Sequence, residues 1–353
     1  MIDFASPLSD TETAPSKEKQ VLTFSSLNTF RSCQRRYKNR YEDGLVPLKS
    51  DADALYLGTV VHRALEMWYG IGDKDLARRI ALETIDDQCK ERNENIEVKR
   101  TWQIARAMVA GYIDRYPTED WEVEAVEHVF NGTIINPKSR RESRTFTIKG
   151  KVDLIVKLNG ELYAVDHKTR KSLSENWIEQ IEMDTQMAVY VYFLRQAGLP
   201  IKGAVHNVLL KSGLKQNLET ETEEEFAARY AESCAKNKNG KSNIKRKVPE
   251  SDEDFAARLA DWYADADKFQ RAVVELPPER MDLIQEEIWE ITQMYLDVRS
   301  RDIWLRNTGV CYQWGQACEY LPYCRSNFCT KVKEELFGWS ATVHNEFSEW
   351  GGE

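Results

Sequence analysis

Asn159-Gly160 is the feature that most narrows what this chain can fold into. The pair lies between FTIKGKVDLIVKL and ELYAVDHKT, two runs rich in Val, Ile and aromatic residues. Asn-Gly suits a two-residue type I′ turn, since both residues tolerate positive φ and the turn matches the twist of the flanking strands. The consequence is an antiparallel hairpin with Leu158 facing Glu161 and Asp153 opposite Asp166. Side chains alternate along a strand. Leu154, Val156, Leu158, Tyr163 and Val165 therefore share one face, directed to a core, while Asp153, Asp166 and Lys168 share the other.

Opposed Cβ atoms in such a ladder lie about 4.5–5.5 Å apart, and like charges there repel. A divalent cation between the two carboxylates would reverse that sign. With a lysine two residues on, the set has what phosphodiester hydrolysis needs. Carboxylates hold a metal, the metal polarises the phosphate and acidifies a water, and the ammonium orients the water or balances developing charge. Asp-x-Lys alone is common and would equally mark a solvated sheet face; the register gives it weight.

Around the hairpin the chain reads mostly as helix. Residues 1–20, rich in Ser, Thr, Pro and Glu, read as a disordered tail. Ser25-Ser26 precedes Leu27, Phe30, Cys33 and Tyr37, the spacing of an N-capped helix, and Arg31, Arg35, Arg36, Lys38 and Arg40 crowd the same stretch. A second helix is expected from near Gly58-Thr59, carrying Val60, Val61, Leu65 and Trp68, with further helices over 75–89 and 101–116. VEAVEHVF is strand-like and carries Glu127, a candidate supporting carboxylate. A helix over 181–195 and a strand over 203–210 follow, and amphipathic helices run from Asp252 to about Arg301. The segments are thus a 1–20 tail, a 21–120 helical region, a 121–210 core, a 211–251 polar insertion, 252–330 C-terminal helices and a 331–353 tail. In the insertion an acidic run over 219–225 precedes Lys236, Lys238, Lys241, Lys245, Arg246 and Lys247, which read as phosphate contacts or as plain solvated surface.

The net charge of -9 argues against a protein that merely coats nucleic acid, which is usually basic. No apolar run approaches the roughly 20 residues of a membrane span. The N-terminus lacks the positive start and apolar core of a signal peptide, so a cytoplasmic location is expected. The 7 cysteines are odd in number. Four of them, Cys311, Cys318, Cys324 and Cys329, crowd one short stretch. In a reducing compartment, metal binding explains that clustering better than disulfides, since thiolates suit zinc or iron–sulfur clusters. The short C-x2-4-C pairs usual for structural zinc are missing.

Five separated motifs add to this in a telling order. They are Ser26-Leu-x-Thr-Phe with Cys33; Gly58-Thr-Val-Val-His62-x-x-Leu65-Glu66; Gly150-Lys-Val-Asp153; Asp166-His-Lys168; and Gln186-x-x-x-Tyr190. Between about Ser25 and Cys324 the chain resembles the RecB-type branch of the PD-(D/E)XK nucleases, including the AddB and CRISPR-associated iron–sulfur exonucleases and related phage proteins. The resemblance implies an α/β fold: a restriction-endonuclease-like core, a small mixed sheet flanked by helices, with a helical portion and a cysteine-ligated C-terminal metal cluster. It implies Mg²⁺ or Mn²⁺ on His62, Asp153, Asp166 and the His167 carbonyl, with Lys168 as the catalytic lysine. It places Gln186 and Tyr190 beside the centre and a [4Fe–4S] cluster on Cys33, Cys311, Cys318 and Cys324, with structural Zn²⁺ as the alternative. Cys329 competes for one position. Asp166 departs from the pattern of many members, which carry Glu there. The implied activity is a DNA exonuclease acting on ends or single strands in recombination, repair or phage DNA processing, alone or with a recombination or replication partner. The alternative is a DNA-binding subunit that keeps the nuclease fold without activity. No G-x-x-x-x-G-K-[ST] is present, so no helicase motor is expected in this chain.

Overall fold

The structure, a computed structural model, describes residues 18–48, 53–90, 96–237, 240–313 and 315–341. Most of the expected N-terminal tail, Lys238 and the chain from 342 onward lie outside these residues. Strand β1 (Gln20–Leu22) leads into helices α1 (Phe24–Ser32) and α2 (Gln34–Tyr37), then β2 (Leu45–Pro47). Helices α3 (Asp53–Gly70), α4 (Lys74–Lys90) and α5 (Ile96–Arg115) follow. Strands β3 (Glu122–Ile135), β4 (Glu142–Leu158) and β5 (Glu161–Arg170) come next, then α6 (Trp177–Glu182), α7 (Thr185–Gln196) and β6 (Ile201–Leu210). The remainder holds α8 (Glu223–Lys236), α9 (Asp252–Tyr263), β7 (Phe269–Glu275) and α10 (Pro278–Arg301). A small hairpin of β8 (Tyr312–Gln313) and β9 (Gln316–Ala317), helices α11 (Leu321–Arg325) and α12 (Thr330–Leu336), and β10 (Phe337–Trp339) close it.

Contacts divide the chain into two compact units, one from residues 1–46, 130–150 and 282–353, the other from 47–129 and 151–281. The second unit contains a mixed sheet: β4 and β5 are antiparallel, β5 and β6 parallel, β6 and β7 antiparallel. Asn159 and Gly160 take φ of 53° and 85°, as a type I′ turn requires, and the ladder runs from Leu158↔Glu161 to Leu154↔Val165 in the expected register. Leu154, Val156, Tyr163 and Val165 enter a core built with side chains of α3, α4, α5 and α9.

The opposite face of the hairpin is covered as well. Ile155 and Ala164 are buried there, and so is Asp166. The cause is the parallel β5–β6 pairing: it needs a crossover connection, and α6 and α7 supply it, with α7 packed on β5 and β6. The crossover is also not the single helix expected over 181–195. It breaks between α6 and α7, where the Asp184 carboxylate caps α7 by accepting from the N–H groups of Gln186 (2.7 Å) and Met187 (3.4 Å). Helix α3 starts at Asp53, upstream of Gly58-Thr59. Strand β7 lies among the helices expected from Asp252 to about Arg301, in a stretch where no strand was foreseen. It pairs with β6 alone and alternates buried and exposed residues, the weak pattern of an edge strand. In the insertion, α8 buries no residue. Its basic run is matched by the acidic run before it: Arg246 pairs with Glu223, Lys247 with Glu219 and Arg229 with Glu221, while Lys236 pairs with Glu232 on α8 itself.

In the first unit β1 pairs in parallel with β4 over Phe146–Ile148. Thr23, not Ser25 or Ser26, caps α1: its Oγ1 accepts from the Ser26 N–H, and Ser26 Oγ accepts from the Thr23 N–H. Phe30 and Tyr37 are buried as their spacing implied, edge-on to each other and to Tyr295 of α10. Arg35 and Arg36 each have a partner within this unit. The Arg35 guanidinium lies 4.4 Å over the Phe328 ring, and Arg36 Nε donates to Glu319 at 3.0 Å.

The glycine of Gly150-Lys-Val-Asp153 has a packing reason: a Cβ there would come within 2.2 Å of the Phe130 ring. Gly150→Ala should therefore destabilise the fold by about 1–3 kcal/mol, the usual cost of overpacking. Adding Phe130→Leu should recover part of it. Denaturant melts of the single and double variants check this, and an unchanged midpoint for Gly150→Ala would count against the contact.

Candidate active site

All seven residues expected at the cutting centre belong to the second unit, and the structure brings them together at the open end of the β4–β5 ladder. Asp153 Oδ2 accepts from the His167 main-chain N–H at 2.6 Å, and Asp153 Oδ1 lies 3.3 Å from His62 Nδ1 on α3. On β5, Asp166 Oδ1 accepts from Lys168 Nζ at 2.9 Å. Lys168 Nζ also donates to Gln186 Oε1 (3.2 Å), and Gln186 Nε2 donates to the Tyr190 hydroxyl (3.3 Å). Each carboxylate thus has its own cationic neighbour, which relieves the repulsion the sequence left to a metal alone. His167 points away from this face and stacks on Tyr69, with ring centroids 5.7 Å apart.

Burial dominates the electrostatics. Burial raises the Asp153 pKa, but His62 and the hydrogen bond from His167 outweigh it and hold the carboxyl far below its usual range. Burial pushes Asp166 up to about 6, with the Lys168 ammonium opposing and the Asp153 charge adding. Burial works against the His62 cation, yet Asp153 and Asp166 hold it above the ordinary histidine value. Lys168 likewise stays cationic against burial because of Asp166. Burial drives His167 down to about 3 and Tyr190 up to about 12.

Among the described residues no three His, Cys, Asp or Glu side chains are gathered as a ready cation cage. The donors nevertheless fit a hard divalent ion. Asp166 Oδ2 is buried with no hydrogen-bond partner, next to a second carboxylate whose charge acts on it and an imidazole. Glu127, at φ 51° in β3, forms an ion pair with Lys151, a partner the motif reading passed over. Glu66 accepts from Arg63 at 2.8 Å. The sequence also gave no sign of Glu119, Asn207 and Arg271 behind β5; with β7 read as helix, nothing could bring Arg271 there.

In the first unit, Cys33, Cys311, Cys318 and Cys324 line one cavity of about 210 Å³, together with Arg36 and Arg306. Burial raises the Cys324 thiol, and the charges of Cys33 and Cys311 raise it further. Burial lifts Cys318 to about 11. Four soft donors around one cavity beside two guanidinium groups suit a thiolate-bound metal group. Cys329 is exposed and does not line the cavity, and Cys234 sits on α8 in the other unit.

The sequence profile of the PD-(D/E)XK nuclease superfamily matches residues 21–325. Among solved structures, one from Eubacterium rectale, provisionally named an exonuclease, aligns over 98% of this chain and 99% of its own with a TM-score of 0.45 and 12% identity. Among curated proteins none matches the chain. No helix among the described residues is long and apolar enough to cross a membrane.

Glu66 supplies a test of the site's wall. Burial lifts it from 4.5 to about 7, with Arg63 opposing and Glu127 adding. The folded chain therefore holds a proton that the unfolded chain releases, and stability falls as pH rises across that window. Glu66→Gln removes the penalty. In chelator, its melting temperature should rise relative to the parent between pH 5 and pH 8; a gap that stays constant would refute the burial of this carboxyl.

Proposed function

The chain belongs to the PD-(D/E)XK nuclease superfamily, and on that premise we propose that it is a Mg²⁺- or Mn²⁺-dependent DNA exonuclease of the RecB/AddB type. The observation that carries the reading is the buried, unpartnered Asp166 Oδ2, set beside Asp153 and joined through its other oxygen to Lys168. His62, Asp153, Asp166 and the His167 carbonyl would hold the cation. Once bound, it would polarise the scissile phosphate and acidify a water. The chain's own groups do the rest. The His167 N–H and His62 keep Asp153 ionised and oriented. Gln186, itself held by Tyr190, fixes the Lys168 ammonium where charge develops on a phosphate oxygen.

An anionic polymer suits the strand ends beyond the centre. Arg170 projects on the same face as Asp166 and Lys168, Lys171 follows it, and the Lys211 N–H bonds the Arg170 carbonyl at 2.7 Å. Burial, and then Lys171, depress the Lys211 ammonium. A phosphodiester backbone would relieve that crowding of cations. The proposal extends to a [4Fe–4S] cluster on Cys33, Cys311, Cys318 and Cys324, stapling the first unit and taking no part in cutting.

Digestion of end-labelled linear and closed-circular DNA with Mn²⁺ tests the activity: linear DNA should be degraded and circles spared. Asp153→Ala, Asp166→Ala and Lys168→Ala should each lower the rate by at least about 100-fold, the scale of losing a charge-stabilising group. Near-parent activity of Lys168→Ala would sink the assignment.

Protein isolated without oxygen should carry about four irons per chain, as expected for a four-thiolate cluster. Ser at Cys33, Cys311, Cys318 or Cys324 should lower iron and stability together, because ligand binding and folding share one free energy. Should Cys329→Ser strip the iron while Cys311→Ser keeps it, the ligand set is wrong.

A further inference from the structure

Behind the cutting face, three strands carry a row of polar side chains in register: His167 on β5 is paired with Asn207 on β6, and Asn207 with Arg271 on β7. Asn207 and Arg271 lie outside the motifs in sequence, and Asn207 and His167 are fully buried. Asn207 Nδ2 lies 2.7 Å from His167 Nδ1 and donates to the Tyr112 hydroxyl at 2.8 Å. Asn207 Oδ1 accepts from Arg271 Nε at 3.3 Å. The guanidinium in turn grips Glu119 with both ends, Nη1 to Oε2 at 2.6 Å and Nη2 to Oε1 at 2.9 Å. Tyr69, whose ring stacks on His167, donates to the same carboxylate at 2.6 Å.

This row leaves little freedom. A guanidinium only donates, so Asn207 must turn its oxygen to Arg271 and its nitrogen to His167. His167 Nδ1 must then accept, which puts the ring proton on Nε2. The ring is held on its face by Tyr69 and at its edge by Asn207. Its main chain is the same residue whose N–H anchors Asp153 at 2.6 Å. A buried ion pair such as Arg271–Glu119 is a weak source of stability by itself, because desolvation offsets the Coulomb gain. Its placement at the end of a chain of hydrogen bonds that terminates at Asp153 gives it another use.

We propose that Asn207 and Arg271 are positioning residues of the cutting centre: the row Arg271–Asn207–His167 locks the His167 ring as its Nε2–H tautomer and so holds the residue-167 peptide that orients Asp153. The idea rests on the nuclease reading for the use it serves, but its geometry does not. Outer-shell partners of this kind typically control ligand affinity by about 10- to 100-fold.

The test uses the full chain with ¹⁵N-labelled histidine. With 5 histidines in the sequence, His167→Gln assigns the resonance. In metal-free parent protein, His167 should show an acceptor-type Nδ1 and a protonated Nε2. Asn207→Leu, close to isosteric, should abolish that fixed tautomer and weaken Mn²⁺ binding by calorimetry about tenfold. On linear DNA it should lower kcat by a similar factor and leave KM within about twofold, where a general loosening of the fold would move both. The double variant Glu119→Gln/Arg271→Gln removes both charges together and avoids stranding one; it should reproduce the effect if Asn207→Leu fails to fold. An Nδ1–H tautomer in the parent, or parent-like Mn²⁺ affinity in the folded variants, overturns the proposal. A chain that cuts no DNA would overturn the nuclease reading instead, and the ring tautomer and Mn²⁺ affinity would still decide this one.

Discussion

The hydrogen bond from the His167 main-chain N–H to Asp153 Oδ2 is the contact on which the cutting end of the sheet depends. The β4–β5 ladder stops at Leu154↔Val165, and beyond it a side-chain carboxylate takes the donor of the neighbouring strand. One oxygen of Asp153 is thereby tied to β5, which leaves the other to face His62. The charge so fixed helps keep His62 and Lys168 protonated and helps push Asp166 upward. This bond extends the hold of β5 on β4 one residue past the last backbone pair, Leu154↔Val165.

Such a centre is costly to fold around. Each buried ion gives up several kcal/mol of hydration, only partly returned by its partner. The opposing weight comes from the core beneath, where α3, α4, α5 and α9 close on Leu154, Val156, Tyr163 and Val165. Burying a large apolar side chain contributes about 1.5–3 kcal/mol. The same strands therefore serve both ends: even and odd positions of β4 and β5 alternate between a core that stabilises and a face that strains. That coupling explains why the hairpin is covered on both sides. A carboxylate facing bulk water would not have its pKa moved as far as Asp166 is, since burial is the largest cause of that shift.

Much of this was legible in the sequence, for reasons that are local. The Asn159-Gly160 turn fixes a register, and the register dictates which side chains share a face; Asp153, Asp166 and Lys168 follow from counting. Helical spacing puts Gln186 and Tyr190 on one face, and the resemblance to the nuclease family, not the spacing, placed that face beside the centre. What escaped depends on tertiary partners. The break between α6 and α7 is made by the Asp184 cap, one polar residue inside an otherwise helical pattern. Strand β7 is short and one-sided, and only β6 makes it a strand. With β7 unseen, the Arg271–Asn207–His167 row could not be drawn. The charges of Arg35 and Arg36 are visible in the sequence, but their partners, Phe328 and Glu319, are not.

The two candidate metal chemistries are separable by where their ligands lie. His62, Asp153, Asp166 and Lys168 belong to the unit of residues 47–129 and 151–281, and the four cavity cysteines belong to the other. That other unit is assembled from three stretches remote in the chain, and its closure bears the entropy of a very long loop. Arg35 over Phe328 and Arg36 with Glu319 already hold the N-terminal helices to the cysteine-bearing end. Four thiolates on a shared metal group would act on the same junction with far more free energy than one cation–π contact and one half-exposed ion pair. Such a group would work as a cross-link of the folded first unit, while the groups that surround Asp153 and Asp166 come from the sheet, from α3 and from α7 of the second unit.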